Sequence, residues 1–218
     1  MVPICEIAQQ RTVRLVPTAY YKPPVLAPLA DNDEERAVLE RYEGLTSERA
    51  SKPSLLGDFE GWGRHHIDAA FRYTRRPEGN RFNGPERGAW YAGFDDRTAL
   101  TEVAFHRTRE LTFTRKFDDW AEYHALHASF IGRFHDIRGF DEAADCLHSD
   151  PAVGYPRGQE LALALRRGGS RGLVYPSVRH AGGTCIAAFQ PTVIQDVTPG
   201  AKWKLEWRGT PEWSATAV

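Results

Sequence analysis

Four side chains follow one another in an order that could do chemistry on a nucleotide. Tyr91 follows Arg81 by ten residues, Glu102 follows Tyr91 by eleven, and Ser177 lies much further along the chain. An arginine can clamp a diphosphate through its forked donors, and an aromatic ring can stack on a planar heterocycle. A carboxylate can hold a ribose hydroxyl and stabilise positive charge developing on the sugar carbon. Breaking the nicotinamide–ribose bond of NAD requires these three kinds of group.

Each of these residues also has an ordinary structural interpretation. Arg81 could form a surface ion pair, and Tyr91 could be a core ring with a hydrated hydroxyl. Glu102 could be a solvated helix residue, and Ser177 could form a turn. Glu102 is the most informative of the four because its neighbours at helical spacing are apolar. A carboxylate at the border of an apolar stripe is costly to dehydrate unless it has a partner or a function.

Two other kinds of catalytic site are less well supported. Residues 168–172 match the G-x-S-x-G pattern of serine hydrolases around Ser170. That motif needs a strand before it and a helix after it, whereas here we predict a helix before and a strand after, so we interpret it as a connecting loop. No glycine-rich P-loop or Rossmann phosphate-binding motif is present in the sequence.

Metal-binding residues are present, but their spacing is unfavourable. Glu102 and His106 lie one helical turn apart, and further histidines include His124, His127 and His135. None has H-E-x-x-H spacing, and we expect His124 and His127 on opposite faces of a strand. We therefore predict no metal ion. A metal-dependent hydrolase that uses His124, His127 or His135 is kept as an alternative.

Composition limits the possible partners and the compartment. The 218 residues include 28 basic and 29 acidic side chains, for a net charge of −1, so we expect no direct binding to nucleic acid or to an anionic membrane. No apolar run is long enough for a membrane-spanning helix, and the N-terminus lacks a secretory signal pattern. Three distant cysteines form no C-x-x-C pair. We therefore predict a cytoplasmic protein.

The elements that must position the candidate residues alternate irregularly between strands and helices. We predict an α+β fold, with a mixed, largely antiparallel central sheet and flanking helices in a single domain. Residues 1–60 are interpreted as an extension packed on the main body, which comprises residues 61–218. The predicted helices are Asp33–Tyr42, Asp96–Arg107, Asp141–Leu147 and Pro156–Gly168. The predicted strands are Ala89–Ala92, Leu111–Phe117, Tyr123–Phe130, Gly172–Pro176, Cys185–Phe189, Val193–Val197 and Lys202–Trp207. The phenylalanines assigned to the sheet core are Phe71, Phe113, Phe130 and Phe189.

At the candidate residues the sequence resembles the RES-domain family, the toxins of a bacterial type II toxin–antitoxin system. The resemblance covers about Phe71 to Pro191. The matching segments are Asn80-Arg81-Phe82-Asn83-Gly84, Gly88-Ala89-Trp90-Tyr91-Ala92, Thr98-Ala99-Leu100-Thr101-Glu102-Val103, and Tyr155 through Gln159 leading to Gly172-Leu173-Val174-Tyr175-Pro176-Ser177-Val178-Arg179.

This resemblance implies a fold like that of ADP-ribosyltransferases and the consumption of NAD as a substrate. Family members cleave NAD by hydrolysis or phosphorolysis, or transfer ADP-ribose to a protein. The implied partner is a helix-turn-helix antitoxin of the Xre type that blocks the pocket and binds operator DNA. The implied site residues are Glu102 as the catalytic carboxylate, Arg81 at a phosphate, Tyr91 on the nicotinamide side, Ser177 as a polar anchor, and Asn83 and Arg179 as lesser candidates.

One alternative of a different class remains open. The chain could be a non-catalytic module that binds a nucleotide or an antitoxin in a decayed pocket. The presence of Arg81, Tyr91 and Glu102 together argues against such decay. Binding of a nucleotide without turnover would support it.

Overall fold

A computed structural model describes residues 1–21, 62–72 and 77–218, together with the single positions 32, 34, 35, 38 and 56. The strands are β1 (Ile4–Pro17), β2 (Trp90–Gly93), β3 (Asp118–Asp136), β4 (Gly172–Pro176), β5 (Thr184–Ala188), β6 (Ile194–Arg208) and β7 (Trp213–Ala217). The helices are α1 (Arg64–Arg72), α2 (Asp96–Thr114) and α3 (Pro151–Arg167), with 3-10 turns at Thr18–Tyr20, Asp141–Leu147 and Pro191–Val193.

The strands form one seven-stranded sheet in the order β1-β2-β5-β4-β3-β6-β7. Among the described strands, only the β3–β4 pair is parallel, so the predicted α+β fold with a mixed, largely antiparallel sheet is confirmed. Strand β1 pairs with β3 along most of its length and meets β2 at Val13 and Gly93. The pairings therefore close a ring of five strands, β1-β2-β5-β4-β3, and β6 and β7 continue the sheet beyond β3. Closure removes free strand edges from the ring.

Helix α2, which carries Glu102, begins where the sequence predicts. The Asp95 carboxylate accepts a hydrogen bond of 2.7 Å from the backbone N–H of Thr98, as expected of an N-cap residue. Leu100, Ala104 and Leu111 are buried along one side of the helix. The cap and this apolar stripe together fix which face of α2 meets the sheet.

The predicted strand Leu111–Phe117 is wrong, because α2 continues to Thr114. Two threonine hydroxyls in this stretch donate hydrogen bonds back into the helix, from Thr112 to the carbonyl of Thr108 and from Thr114 to that of Leu111. Phe113, assigned to the sheet core, is instead 76% exposed. The alternation of threonines with apolar residues thus resembles a strand pattern although the backbone is helical.

Two further predictions differ from the observed elements. Helix α3 begins at Pro151, where Asp150 caps it, so Pro156 lies inside the helix rather than at its start. The two predicted C-terminal strands form the single strand β6, because the Pro199-Gly200 turn signal is accommodated as a register shift against β3. The other predicted strands correspond to β2, β4, β5 and the middle of β3.

Strand β1 was not predicted from the sequence. It pairs with β3 from Ile4, opposite His135, to Pro17, opposite Tyr123, and it buries Ile7 and Val13. The predicted helix Asp33–Tyr42 lies mainly outside the described residues. The division of the chain near residue 60 stays a prediction.

Among the described residues, four groups of buried apolar side chains pack around the sheet, and the smallest contains Val13, Ala99 and Ala125. One group joins α1 to the sheet and contains Phe71 and Phe130, and a second contains Phe82 and Phe189. The third packs α2 against Leu205 and Trp207 of β6. Within the described part of the chain, no helix combines the length and hydropathy that crossing a membrane requires.

Candidate active site

The loop that carries Arg81 is held by a tyrosine and an asparagine. The Tyr91 hydroxyl donates a hydrogen bond to Asn83 Oδ1 and accepts one from the backbone N–H of Phe82, both at 2.9 Å. Burial raises the pKa of this hydroxyl, which therefore stays protonated. Asn83 is buried, and its Nδ2 donates to the carbonyl of Gly84. The polar groups of Tyr91 and Asn83 thus fix the backbone that directly follows Arg81.

Arg81 is a buried cation. Arg81 is only 7% exposed. Its Nη1 donates hydrogen bonds to the carbonyls of Cys146 at 2.6 Å and His148 at 3.1 Å. Its guanidinium carbon lies 5.3 Å from the centroid of the Tyr155 ring. Among the described residues, no carboxylate lies within ion-pair distance of Arg81. A buried charge without a counter-ion is costly, so an anionic ligand that reaches it is strongly favoured.

A second guanidinium, that of Arg179, shares this site. Its Nη2 donates to the Ser149 carbonyl at 2.7 Å, and its carbon lies 3.4 Å from the centroid of the Phe105 ring. Burial lowers the pKa of Arg179, the nearby charge of Arg81 lowers it further, and Glu102 opposes both. Arg179 likewise has no carboxylate ion-pair partner in the described part of the chain. Arg179 therefore lies near both the positive charge of Arg81 and the negative charge of Glu102.

Glu102 is held in place by Ser177, the first residue after β4. The Ser177 hydroxyl donates to Glu102 Oε1 at 2.7 Å and accepts the backbone N–H groups of Arg179 and His180 at 3.1 and 2.9 Å. Ser177 is therefore both a turn residue and a clamp on the carboxylate. The other oxygen, Oε2, receives no hydrogen bond from the described residues, so it can accept one from a substrate hydroxyl.

Cys185 is a neighbour of Glu102 that sequence reasoning missed. Its Sγ lies 3.9 Å from Glu102 Oε1, and it stands opposite Tyr175 in the β4–β5 register. Burial and the nearby charge of Glu102 raise the pKa of the thiol, so it stays protonated. The proximity joins strand β5 to helix α2, which are far apart in the sequence, and no local motif signals it.

The predicted residues fall into two connected groups. Arg81, Asn83 and Tyr91 form one, and Glu102, Ser177 and Arg179 form the other. Arg81 and Arg179, one from each group, lie near enough for the positive charge of Arg81 to lower the pKa of Arg179. The elements responsible are the loop before β2, strand β2 itself, helix α2, and the loop after β4.

The structure also bears on the competing motifs. Ser170 lies between α3 and β4, which is the order that argued against a nucleophile elbow. Its buried hydroxyl donates to the Gly172 carbonyl at 3.1 Å, and Nδ1 of His135 lies 2.8 Å from it. Across the described residues, no group of three or more His, Cys, Asp or Glu side chains is arranged to hold a metal ion.

The geometry defines an α+β protein in which Ser177 clamps the carboxylate of Glu102, Arg179 senses the charges of both Glu102 and Arg81, and neither arginine has an acidic partner among the described residues. The family model of the RES domain matches residues 60–208, well over half of the chain, and the chain belongs to this family. The match includes every candidate site residue named above, whereas β1 and β7 lie outside it. No curated protein matches the chain.

Proposed function

We propose that the protein binds NAD and breaks its nicotinamide–ribose bond. The observation that carries this proposal is a pair of neighbouring arginines, Arg81 and Arg179, that have no acidic partner among the described residues, with the clamped carboxylate of Glu102 near Arg179. The diphosphate of NAD carries two negative charges, which match two guanidinium groups in number and in preferred hydrogen-bond geometry. Membership of the RES family is compatible with an activity on NAD.

In the proposed reaction, Glu102 acts on the ribose. Oε2 accepts a hydrogen bond from a ribose hydroxyl, while Ser177 holds Oε1. As the bond between C1′ and the pyridinium nitrogen breaks, nicotinamide leaves as a neutral molecule with the bonding electron pair. The carboxylate stabilises the positive charge that develops on the sugar. An oxygen of water, phosphate or a protein side chain then bonds to C1′ through one of its lone pairs, and any proton that this oxygen carries is released to solvent.

The proposal extends to the biological role. We propose a cytoplasmic toxin that is neutralised by a helix-turn-helix antitoxin of the Xre type, and that needs no metal ion. The near-neutral charge of the chain supports an arrangement in which the partner, rather than this protein, contacts DNA. Growth arrest on expression, relieved by co-expression of such a partner, would support this role. Expression without any growth effect would contradict it.

The central test is the release of nicotinamide from NAD by the purified protein, with and without phosphate and cell extract. Glu102→Gln keeps the shape of the side chain and its bond to Ser177 but removes the charge, so we expect the rate to fall about 100-fold or more. The dissociation constant for NAD should change little. Glu110→Gln is the matched control, because Glu110 lies on the same helix in an exposed 3.3 Å pair with Arg107 and should leave the rate unchanged.

Three outcomes of this experiment would argue against the proposal. No release by the unaltered protein under any of these conditions would overturn it. Tight binding of NAD without turnover would favour the non-catalytic module. A folded Glu102→Gln variant with full activity would remove Glu102 from the mechanism.

A further inference from the structure

The loop after β4 is fastened to α2 at two points. The first is the 2.7 Å bond from the Ser177 hydroxyl to Glu102. The second joins His180 Nδ1 to Thr98 Oγ1 at 2.9 Å. Thr98 and Glu102 are four residues apart on α2 and therefore face the same side of the helix. The two attachments thus lie one helical turn apart.

The direction of the second attachment follows from the hydrogen available at each atom. Thr98 Oγ1 donates its single proton to Asp95 Oδ2 at 2.7 Å. It must therefore accept a proton from His180, which assigns the Nδ1–H form to the imidazole. The chain of donors runs from His180 through Thr98 to the carboxylate of Asp95. Thr98 is fully buried, so leaving its hydroxyl or the imidazole unpaired would be costly.

The backbone of the same histidine also contacts Ser177. The backbone N–H of His180 donates to the Ser177 hydroxyl oxygen at 2.9 Å, and that of Arg179 does so at 3.1 Å. With two donors on its oxygen, the Ser177 hydroxyl has its proton free for Glu102. Gly183 allows this close packing, since a Cβ there would come within 2.5 Å of Thr98 Oγ1 and 2.9 Å of His180 Nδ1.

We propose that Asp95, Thr98 and His180 are positioning residues that hold Ser177 against Glu102. The kinetic consequence of this inference rests on the proposed function. Arg179 is on the same loop but has anchors of its own, at the Ser149 carbonyl and the Phe105 ring. Loosening the His180–Thr98 link should therefore disturb the carboxylate more than the diphosphate site. The expected signature is a fall in kcat with little change in KM.

The test compares Thr98→Val with Thr98→Ser. Valine keeps the shape and the backbone cap bond but loses the hydroxyl, whereas serine retains it. We expect Thr98→Val to lower kcat for nicotinamide release about tenfold while KM stays within about threefold, and Thr98→Ser to restore most of the rate. In parallel, hydrogen exchange at the amides of Arg179 and His180 should accelerate in Thr98→Val and not in Thr98→Ser.

A second pair of variants, at His180, tests the inference if the substitutions of the buried Thr98 prevent folding. His180→Leu removes the imidazole donor at a half-buried position, and His180→Asn keeps a donor close to the place of Nδ1. The inference is overturned if Thr98→Val and Thr98→Ser lower kcat equally, or if His180→Leu and His180→Asn do so. It is also overturned if these substitutions raise KM and leave kcat unchanged. If the unaltered protein releases no nicotinamide, the proposed function fails. Hydrogen exchange then decides the positioning alone, and unchanged exchange at Arg179 and His180 in Thr98→Val would overturn it.

Discussion

At the scale of single residues, the hydrogen bonds that are already made separate positioning side chains from reacting ones. The Tyr91 hydroxyl gives its proton to Asn83 and takes one from Phe82, so no proton remains for a substrate. Ser177 has three partners within the protein. Glu102 keeps one oxygen without a donor among the described residues. The chemistry therefore centres on Glu102, and its neighbours define where that oxygen lies.

Tyr91→Phe tests this division of roles. The ring stays, but the N–H of Phe82 and the side-chain oxygen of Asn83 each lose a partner in a buried loop. We expect the free energy of unfolding to fall by about 1–3 kcal/mol, and KM for NAD to rise because the Arg81 loop is loosened. Denaturant unfolding and steady-state kinetics measure both. Unchanged stability with a collapse of kcat would instead mean that the hydroxyl acts on the substrate.

At the scale of elements, helix α3 approaches the Arg81 loop closely because two of its residues are glycines. A Cβ at Gly154 would lie 2.6 Å from Arg81 Nη1, and a Cβ at Gly158 would overlap the carbonyl oxygen of Arg81. Small residues four apart on one helix face are therefore a requirement of the arginine site. The requirement for small residues applies to the part of α3 around Gly154 and Gly158, and not to the C-terminal end of the helix.

Gly158→Ala is expected to push α3 and the Arg81 loop apart. The free energy of unfolding should fall by about 1–3 kcal/mol, and NAD should bind less tightly. Gly168→Ala, at the end of the same helix, is the control, since its nearest neighbour to a Cβ is the Leu165 carbonyl at 3.4 Å. Denaturant unfolding and calorimetric titration with NAD compare the two. Equal effects of both substitutions would show that α3 does not support the arginine site.

The capped start of α2 has a predictable pH dependence. Desolvation raises the pKa of Asp95, but the hydrogen bonds from the Thr98 hydroxyl and N–H outweigh it, so the pKa is lowered overall. The resulting stabilisation is complete above the unfolded value of about 3.9 and is lost as the pH falls through the folded pKa. Asp95→Asn should therefore lower the free energy of unfolding near neutral pH and flatten its decline in acid. Denaturant unfolding between about pH 3 and pH 7 tests this, and parallel curves for the two proteins would contradict it.

Elements with local signals were predictable from the sequence, and those defined by distant pairing were not. Asp95 marks the start of α2 through cap chemistry, and strands β4 and β5 are short apolar runs bounded by turn residues. The sequence does not predict strand β1, because its partner β3 lies more than a hundred residues away along the chain. The order of Arg81 and Glu102 can be read from the sequence, but the contact of Cys185 with Glu102 depends on how α2 packs against β5.

At the scale of the whole molecule, β1 bridges the free edges of β2 and β3, which the other strands connect only indirectly through β5 and β4. It pairs with β3 over most of its length and with β2 at Val13, so it closes the five-stranded ring. The RES match begins at residue 60 and does not include β1. The family region by itself would therefore expose one long edge of β3. Exposed edges of this kind favour association with other chains.

We accordingly expect a chain that begins at residue 60 to lose cooperative unfolding and to aggregate, because the core loses Ile7 and Val13 as well as the β3 edge cover. A chain that ends at residue 208 is the matched control, since β7 pairs only with β6 at the end of the sheet. That chain should unfold cooperatively with reduced stability. Circular dichroism, tryptophan fluorescence and sedimentation compare the two. A cooperatively folded chain from residue 60 with full nicotinamide release would show that residues 1–60 are an extension after all, and that β2 and β3 hold their places without the strand between them.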